Sequence, residues 1–257
     1  MVDDYLFYVW LSLIPQIGVS TQKKILNQIS SPEEMYHAAD EVLLSIKGIS
    51  STQIHNIMES KCLDNAKRIV DSCDKCGIEI VSINDAEYPD KAKSDTNSPI
   101  ILYTKGRILT DKLKRTVAIV GARRCTKAEK QVTVDIASRY LQQGYSIVSG
   151  MAKGVDSYSH TVCIREGEYT VAILGNGLDI CYPKEHNKLM QAIEDNGLLL
   201  SEYPPGVKPQ RYHFPERNRI IAQWSDEIVV VAPGNRSGSL ITAEYAERLG
   251  RHVEIIN

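Results

Sequence analysis

From Thr116 onward, short apolar runs recur at intervals of about 25 to 30 residues. They read TVAIVG, YSIVSG, YTVAILG, LLLSEY, EIVVVAPG and HVEII. Each is rich in β-branched residues and apolar at successive positions. A strand with one wet face alternates apolar and polar, so these runs indicate strands buried on both faces. Helical stretches such as AEKQVTVDIASRYLQQ and EHNKLMQAIEDN lie between them. Buried strands alternating with helices constrain the chain to a parallel sheet covered on both sides, with right-handed crossovers. Ligands of such sheets sit beyond the carboxyl ends of the strands.

The first part differs. Residues 1–105 are expected to form a mainly helical domain, and residues 106–257 the domain that holds the sheet. Helical segments are punctuated by two glycine turns, PQIGVS and IKGISS, similar to those of helix-hairpin-helix elements. In such hairpins backbone N–H groups can hold a DNA phosphate, but plain helix packing produces the same turns. GIEIVSINDAEYPDKA and SPIILYTKG each supply a strand, and the stretch from Ser98 to Lys114 has the look of a linker.

Composition narrows the function. No apolar run approaches the roughly 18 residues of a membrane span. The start, MVDDYLFYVW, has acids where a secretion signal needs bases, so a cytoplasmic protein with no membrane role is expected. Six scattered cysteines then read as reduced thiols. Cys73 and Cys76 form a lone CxxC, and the two further ligands that zinc needs do not follow. No metal or cofactor is expected. The net charge of −2 gives no global attraction to nucleic acid. Locally, nine Lys/Arg fall between Lys105 and Lys130 against Asp111 and Glu129, and four more fall between Lys208 and Arg219 against Glu216.

The unusual residues follow the strand ends: GARRCT, SGMAKGVD, GNGLDICYP, SEYPPGVKPQRYHFPERNR and APGNRSGS. GxGxxG and GxxxxGK[ST] are both absent, which removes the dinucleotide fingerprint and the P-loop. What remains suits a phosphorylated ligand. Arginines offer planar, fixed donors, and the Ser-Gly-Ser turn opens a helix whose first N–H groups lack partners. Lys208, Arg211, Tyr212, His213 and Phe214 interleave bases with rings, a pattern that suits single strands through phosphate contacts and stacking. Phe214 serves equally as an anchor for its loop. Asp156 and His160 stand one helical turn apart, as an acid–base pair would, but a helix cap and a buried histidine explain them more simply.

Six ordered blocks now carry a resemblance. VGARRCT, SGMAKGVDSYSH, AILGNGLDICYPKEHNKL, GLLLSEYPPG, HFPERNRIIAQWS and RSGSLITAEYAERLGR resemble the motifs of the DNA-processing protein A (DprA, or Smf) family. The resemblance implies an α/β fold: an extended Rossmann-like parallel sheet covered by helices, preceded by a helical domain of SAM or helix-hairpin-helix type. It implies sequence-independent binding of single-stranded DNA, loading of a RecA-type recombinase in natural transformation, a homodimer, and no catalysis. The DNA contacts it implies are Arg123, Lys184, Arg211, Phe214, Arg217, Asn218 and Arg219, with backbone donors at Gly121, Gly150 and the Ser237, Gly238, Ser239 turn. Ala232 stands where the family has glutamate, and Ala122 where it has serine or threonine. The chain stops at Asn257, short of the family's final Pro-Gly turn. A second reading is a nucleotide sensor or a phosphoribohydrolase-like enzyme, since APGNRSGSLITAE resembles the PGGxGTxxE loop. Asn235 and Arg236 interrupt that loop, and Glu244 would be its acid. A third is a protein-binding adaptor built on the helical half.

Overall fold

The computed structural model describes residues 2–234 and 237–257. Asn235 and Arg236 lie outside the described residues. The chain opens with helices α1 (Val2–Leu13), α2 (Val19–Leu26), α3 (Pro32–His37), α4 (Asp40–Leu44), α5 (Ser51–Glu59) and α6 (Asp64–Cys76). β1 (Glu79–Ser82), α7 (Asp90–Lys93) and β2 (Ile101–Gly106) follow. The alternating part runs β3 (Thr116–Gly121), α8 (Lys127–Gln142), β4 (Ser146–Ser149), α9 (Val155–Glu166), β5 (Thr170–Leu174), α10 (Asn187–Asn196) and β6 (Leu198–Ser201). It ends with α11 (His213–Gln223), β7 (Glu227–Val231), α12 (Gly238–Arg248) and β8 (His252–Ile256). Among the described residues no helix is long and apolar enough to cross a membrane.

The strands form one sheet in the order β1-β2-β6-β5-β4-β3-β7-β8. From β6 to β8 all pairings are parallel, as the buried apolar runs require. In β3 the side chains alternate between two cores. Val117 and Ile119 pack with Ile136 of α8 and Val162 of α9. Ala118 and Val120 pack on the opposite face with Ile220 and Ile221 of α11 and Ala243 of α12. Each large aliphatic side chain so buried stabilises the fold by about 1.5–3 kcal/mol. The chain winds from β3 through β4 and β5 to β6, then reappears on the other side of β3 as β7 and β8. This reversal opens a crevice at the carboxyl ends of the strands flanking β3.

The stretch 98–114 is not merely a linker. β2 lies within it and pairs antiparallel with both β1 and β6, so the sheet extends into the earlier part of the chain. Leu6, Val9 and Trp10 of α1 share a core with Ile80, Ile101 and Tyr103. The glycine turns hold each other. Gln53 Nε2 donates to Gln16 O (3.1 Å) and Asn56 Nδ2 to Pro15 O (2.9 Å). Ser50 N–H, in the second turn, donates to Gln53 Oε1 (2.9 Å) within a capping box. These bonds give the turns a packing role.

Gly121 closes β3 under tight constraint. A Cβ there would fall 2.1 Å from the Val231 carbonyl oxygen and 2.8 Å from Val155 Cγ2. Gly121→Ala is expected to cost about 3 kcal/mol, read from urea unfolding, because backbone and not a flexible side chain is in the way. An unchanged midpoint would show that β3 and β7 can part at this point.

Candidate nucleic-acid interface

A cleft of about 640 Å³ lies at the reversal point. Every strand-end segment named above contributes to it. Gly121 and Arg123 come from the turn after β3, and Ala152 and Asp156 from the turn after β4. Tyr182 comes from the loop after β5, Arg211, Phe214, Arg217 and Asn218 from α11 and its approach, and Ser237, Gly238, Ser239 and Thr242 from the start of α12. The cleft thus gathers residues far apart in the chain, from Val120 to Thr242.

Its rim is cationic. Arg123 and Arg211 are both exposed, and the Arg123 guanidinium carbon stands 5.8 Å from the centre of the Phe214 ring. The Tyr182 ring lies 5.5 Å from that of Phe214 with the planes 33° apart, so the two make one apolar wall. His213 turns inward. It is buried, its Nδ1 bonds Gly175 O (3.0 Å), and its ring stacks on Tyr203 (4.0 Å). That anchoring leaves Phe214, the next residue, free to face the cleft.

The floor is the N-terminus of α12. Asn218 Nδ2 donates to Gly238 O (2.8 Å), and the hydroxyls of Ser237 and Ser239 bond each other (2.6 Å). Ser237 N–H is taken by Gly234 O (3.0 Å), whereas the N–H groups of Gly238 and Ser239 have no acceptor among the described residues.

The four arginines divide into two classes: Arg123 and Arg211 are exposed, whereas Arg217 and Arg219 are bonded within the protein. Arg217 is 4 % exposed, and its Nη1 donates to Gly150 O (2.6 Å) and Ile173 O (2.5 Å). Burial lowers its pKa to about 10, with the Asp156 carboxylate pulling the other way. Asp156 accepts from the N–H groups of Gly150 (3.1 Å) and Ala152 (3.4 Å). Burial raises the Asp156 pKa, and the Arg217 guanidinium opposes the rise. Gly150 is therefore clamped through both ends of its backbone, and a Cβ there would lie 1.9 Å from Arg217 Nη1. The Gly150 N–H expected as a donor is thus taken by Asp156, and Arg217, which still lines the cleft with Asp156, spends its Nη1 on two backbone carbonyls. Arg219 faces elsewhere and does not line the cleft; its Nη2 is 2.5 Å from Glu202 Oε2, with both side chains 12 % exposed. Lys184 is exposed on a short 3₁₀ turn outside the cleft lining.

Asp156 and His160 do not form an acid–base pair. Asp156 braces the turn before α9, whose N-cap is Gly154, instead of capping the helix. His160 is fully buried with Nδ1 2.8 Å from Thr170 Oγ1, and that hydroxyl donates to Ile147 O (2.9 Å). Glu244 is exposed on α12 and outside the cleft lining, so it is not placed to act as an acid there.

Residues 79–257 match the family described as DNA recombination-mediator protein A. The chain belongs to that family. Protein Smf of Synechocystis is 32% identical over 249 residues, 95% of this chain and 63% of that protein. The DNA processing protein DprA of Bacillus subtilis is 33% identical over 238 residues, 89% of this chain and 80% of that protein. Among solved structures, DNA processing protein A of Streptococcus pneumoniae superposes with a TM-score of 0.81 at 31% identity, covering 100% of this chain and 87% of that one. DNA processing protein A of Helicobacter pylori, described for its single-stranded DNA binding mode, superposes with a TM-score of 0.62 at 30% identity, over 69% of this chain and 80% of that one.

Family motifs mark the cleft but do not sort its residues. Tyr182 and Thr242 line it and escaped the sequence reading. Tyr182 sits in the motif CYPKEH beside the more conspicuous Lys184. Thr242 lies one turn inside α12, where a threonine resembles any helix residue. Ala232 has a left-handed backbone (φ 48°), and its N–H donates to Ile256 O (2.6 Å).

Two measurements check this geometry. Arg217→Ala strands the Asp156 carboxylate and is expected to cost about 3–5 kcal/mol in urea unfolding. Arg123→Ala, at an exposed site, is expected to stay within about 0.5 kcal/mol. Equal costs would refute the division. Burial also holds the His160 pKa down at about 3, against an ordinary 6.5. The unfolded chain therefore takes up a proton that the native protein refuses. This contribution is complete above about pH 6.5 and is lost as pH falls toward 3, at up to about 1.4 kcal/mol per pH unit. His160→Gln is expected to flatten the acid limb of a stability–pH curve; an identical slope would show that His160 is protonated in the folded chain.

Proposed function

We propose that the chain binds single-stranded DNA in this cleft without sequence preference and passes it to a RecA-type recombinase. The observation that carries the reading is the placement of two exposed guanidiniums, Arg123 and Arg211, beside the Phe214 ring on one concave surface. Cations track a phosphate backbone and a ring stacks on any unpaired base, so the combination needs no base-edge contacts. Its site is local, which agrees with a net charge of only −2. The Helicobacter pylori relative, described by its single-stranded DNA binding, supports the choice of ligand. The family's description as a recombination mediator supports the hand-over to a recombinase. A homodimer working in the cytoplasm with no chemistry of its own completes the proposal.

Binding of unrelated oligonucleotides, followed by fluorescence anisotropy at several salt concentrations, tests it. Arg123→Ala and Arg211→Ala are each expected to weaken all sequences alike and to reduce the slope of log K against log salt by about 0.7, the value for one phosphate of a single strand. Phe214→Ala is expected to cost about 1–3 kcal/mol with the salt slope unchanged. Salt-insensitive binding, or wild-type affinity in both arginine variants, would end the proposal.

A further inference from the structure

We propose that Asp95 and Gln223 are positioning residues: through their bond the segment 85–98 grips the far end of α11 and sets the pose of the cleft residues on its near end. The inference rests on the nucleic-acid reading of the cleft and adds to it a control point outside the cleft.

α11 is divided along its length. Phe214, Arg217 and Asn218, in its first half, line the cleft. Gln223, its last residue, does not; its Nε2 donates to Asp95 Oδ2 (2.5 Å). A helix of 11 residues is a stiff rod of about 16 Å, so a change of pose at one end is felt at the other. Gln223 is fully buried, and Asp95 is the single hydrogen-bond partner of its side chain among the described residues. At that depth no solvent replaces a lost partner, so the amide holds to Asp95. The next residue strengthens the grip. Trp224 is buried, and its ring lies 6.0 Å from that of Tyr88, whose Oη donates to Pro99 O (3.0 Å).

The segment is itself held from several elements. Tyr5 Oη, on α1, donates to Asp85 Oδ2 (3.0 Å). Lys23 Nζ, on α2, donates to the carbonyls of Lys93 (2.9 Å) and Asp95 (2.5 Å). Lys91 Nζ meets the Asp226 carboxylate and donates to Thr116 Oγ1 at the start of β3 (2.9 Å). Arg251 Nη2 donates to Lys91 O (3.2 Å). Asp95 therefore bonds α2 through its carbonyl and α11 through its carboxylate. One residue joins a helix with no part in the cleft lining to the helix that carries three of the lining side chains. A buried bond at such a junction can carry coupling between the two regions.

Anisotropy of a dye-labelled oligothymidylate at several salt concentrations tests the proposal in Asp95→Ala, Gln223→Leu and the double variant, each shown to be folded by circular dichroism. Each single substitution is expected to weaken binding about fivefold, and the double no further than either alone. The slope of log K against log salt is expected to stay unchanged, because no phosphate contact is lost. Ile57→Ala, in the core of the helical part, lowers stability without touching this bond and is expected to leave affinity at the wild-type value. In the unmodified chain, amide hydrogen exchange of residues 85–98 is expected to slow when the oligonucleotide binds, since coupling is reciprocal. Wild-type affinity in both single variants, additive losses in the double, a lowered salt slope, an equal loss in Ile57→Ala or unchanged exchange in the segment overturns the proposal while the nucleic-acid reading stands. If the unmodified chain binds no oligonucleotide, that reading falls and takes the proposal with it.

Discussion

The cleft depends on a pair of buried opposite charges. Arg217 and Asp156 hold the Gly150 peptide between them, one on its carbonyl and one on its N–H. Arg217 reaches in addition to the Ile173 carbonyl at the end of the neighbouring strand. Three crossover connections therefore converge on one bonded group: α11, the turn before α9, and the end of β5. Isolated, either charge would be untenable at this depth; together, with Arg217 Nη1 and the Asp156 carboxylate bonded to backbone, they set the distance between the turns. Above this base Arg123 and Arg211 can be exposed while the turns that carry them are held in register.

The motif ERNR shows how one run of residues divides its labour. Successive positions on a helix point about 100° apart, so its two arginines, two residues apart, cannot share a face. Arg217 turns to the backbone carbonyls at the base of the cleft, Asn218 bonds the start of α12, and Arg219 meets Glu202 away from the cleft. Cation content pointed to this neighbourhood but could not say which guanidinium stays exposed. That depends on depth and on carbonyls contributed by β4 and β5, which lie far off along the chain.

The fold itself was more legible. Consecutive apolar positions in TVAIVG and EIVVVAPG announce strands covered on both faces, and β3 and β7 are such strands. The glycines of GARRCT and SGMAKGVD mark close approaches of backbone, as Gly121 and Gly150 demonstrate. What stayed hidden was the role of SPIILYTKG. One apolar strand beside a Pro-Asp turn gives no sign of its partner, and only tertiary pairing sends β2 to β6, joining the helical portion to the sheet. Thr242 was equally silent, since lining a cleft is a property of the assembled site.

The contact between Arg123 and Phe214 has a last consequence. At 5.8 Å the guanidinium lies near enough to the ring to be attracted by its face. Loss of the Phe214 ring would therefore also take away a neighbour of the Arg123 charge.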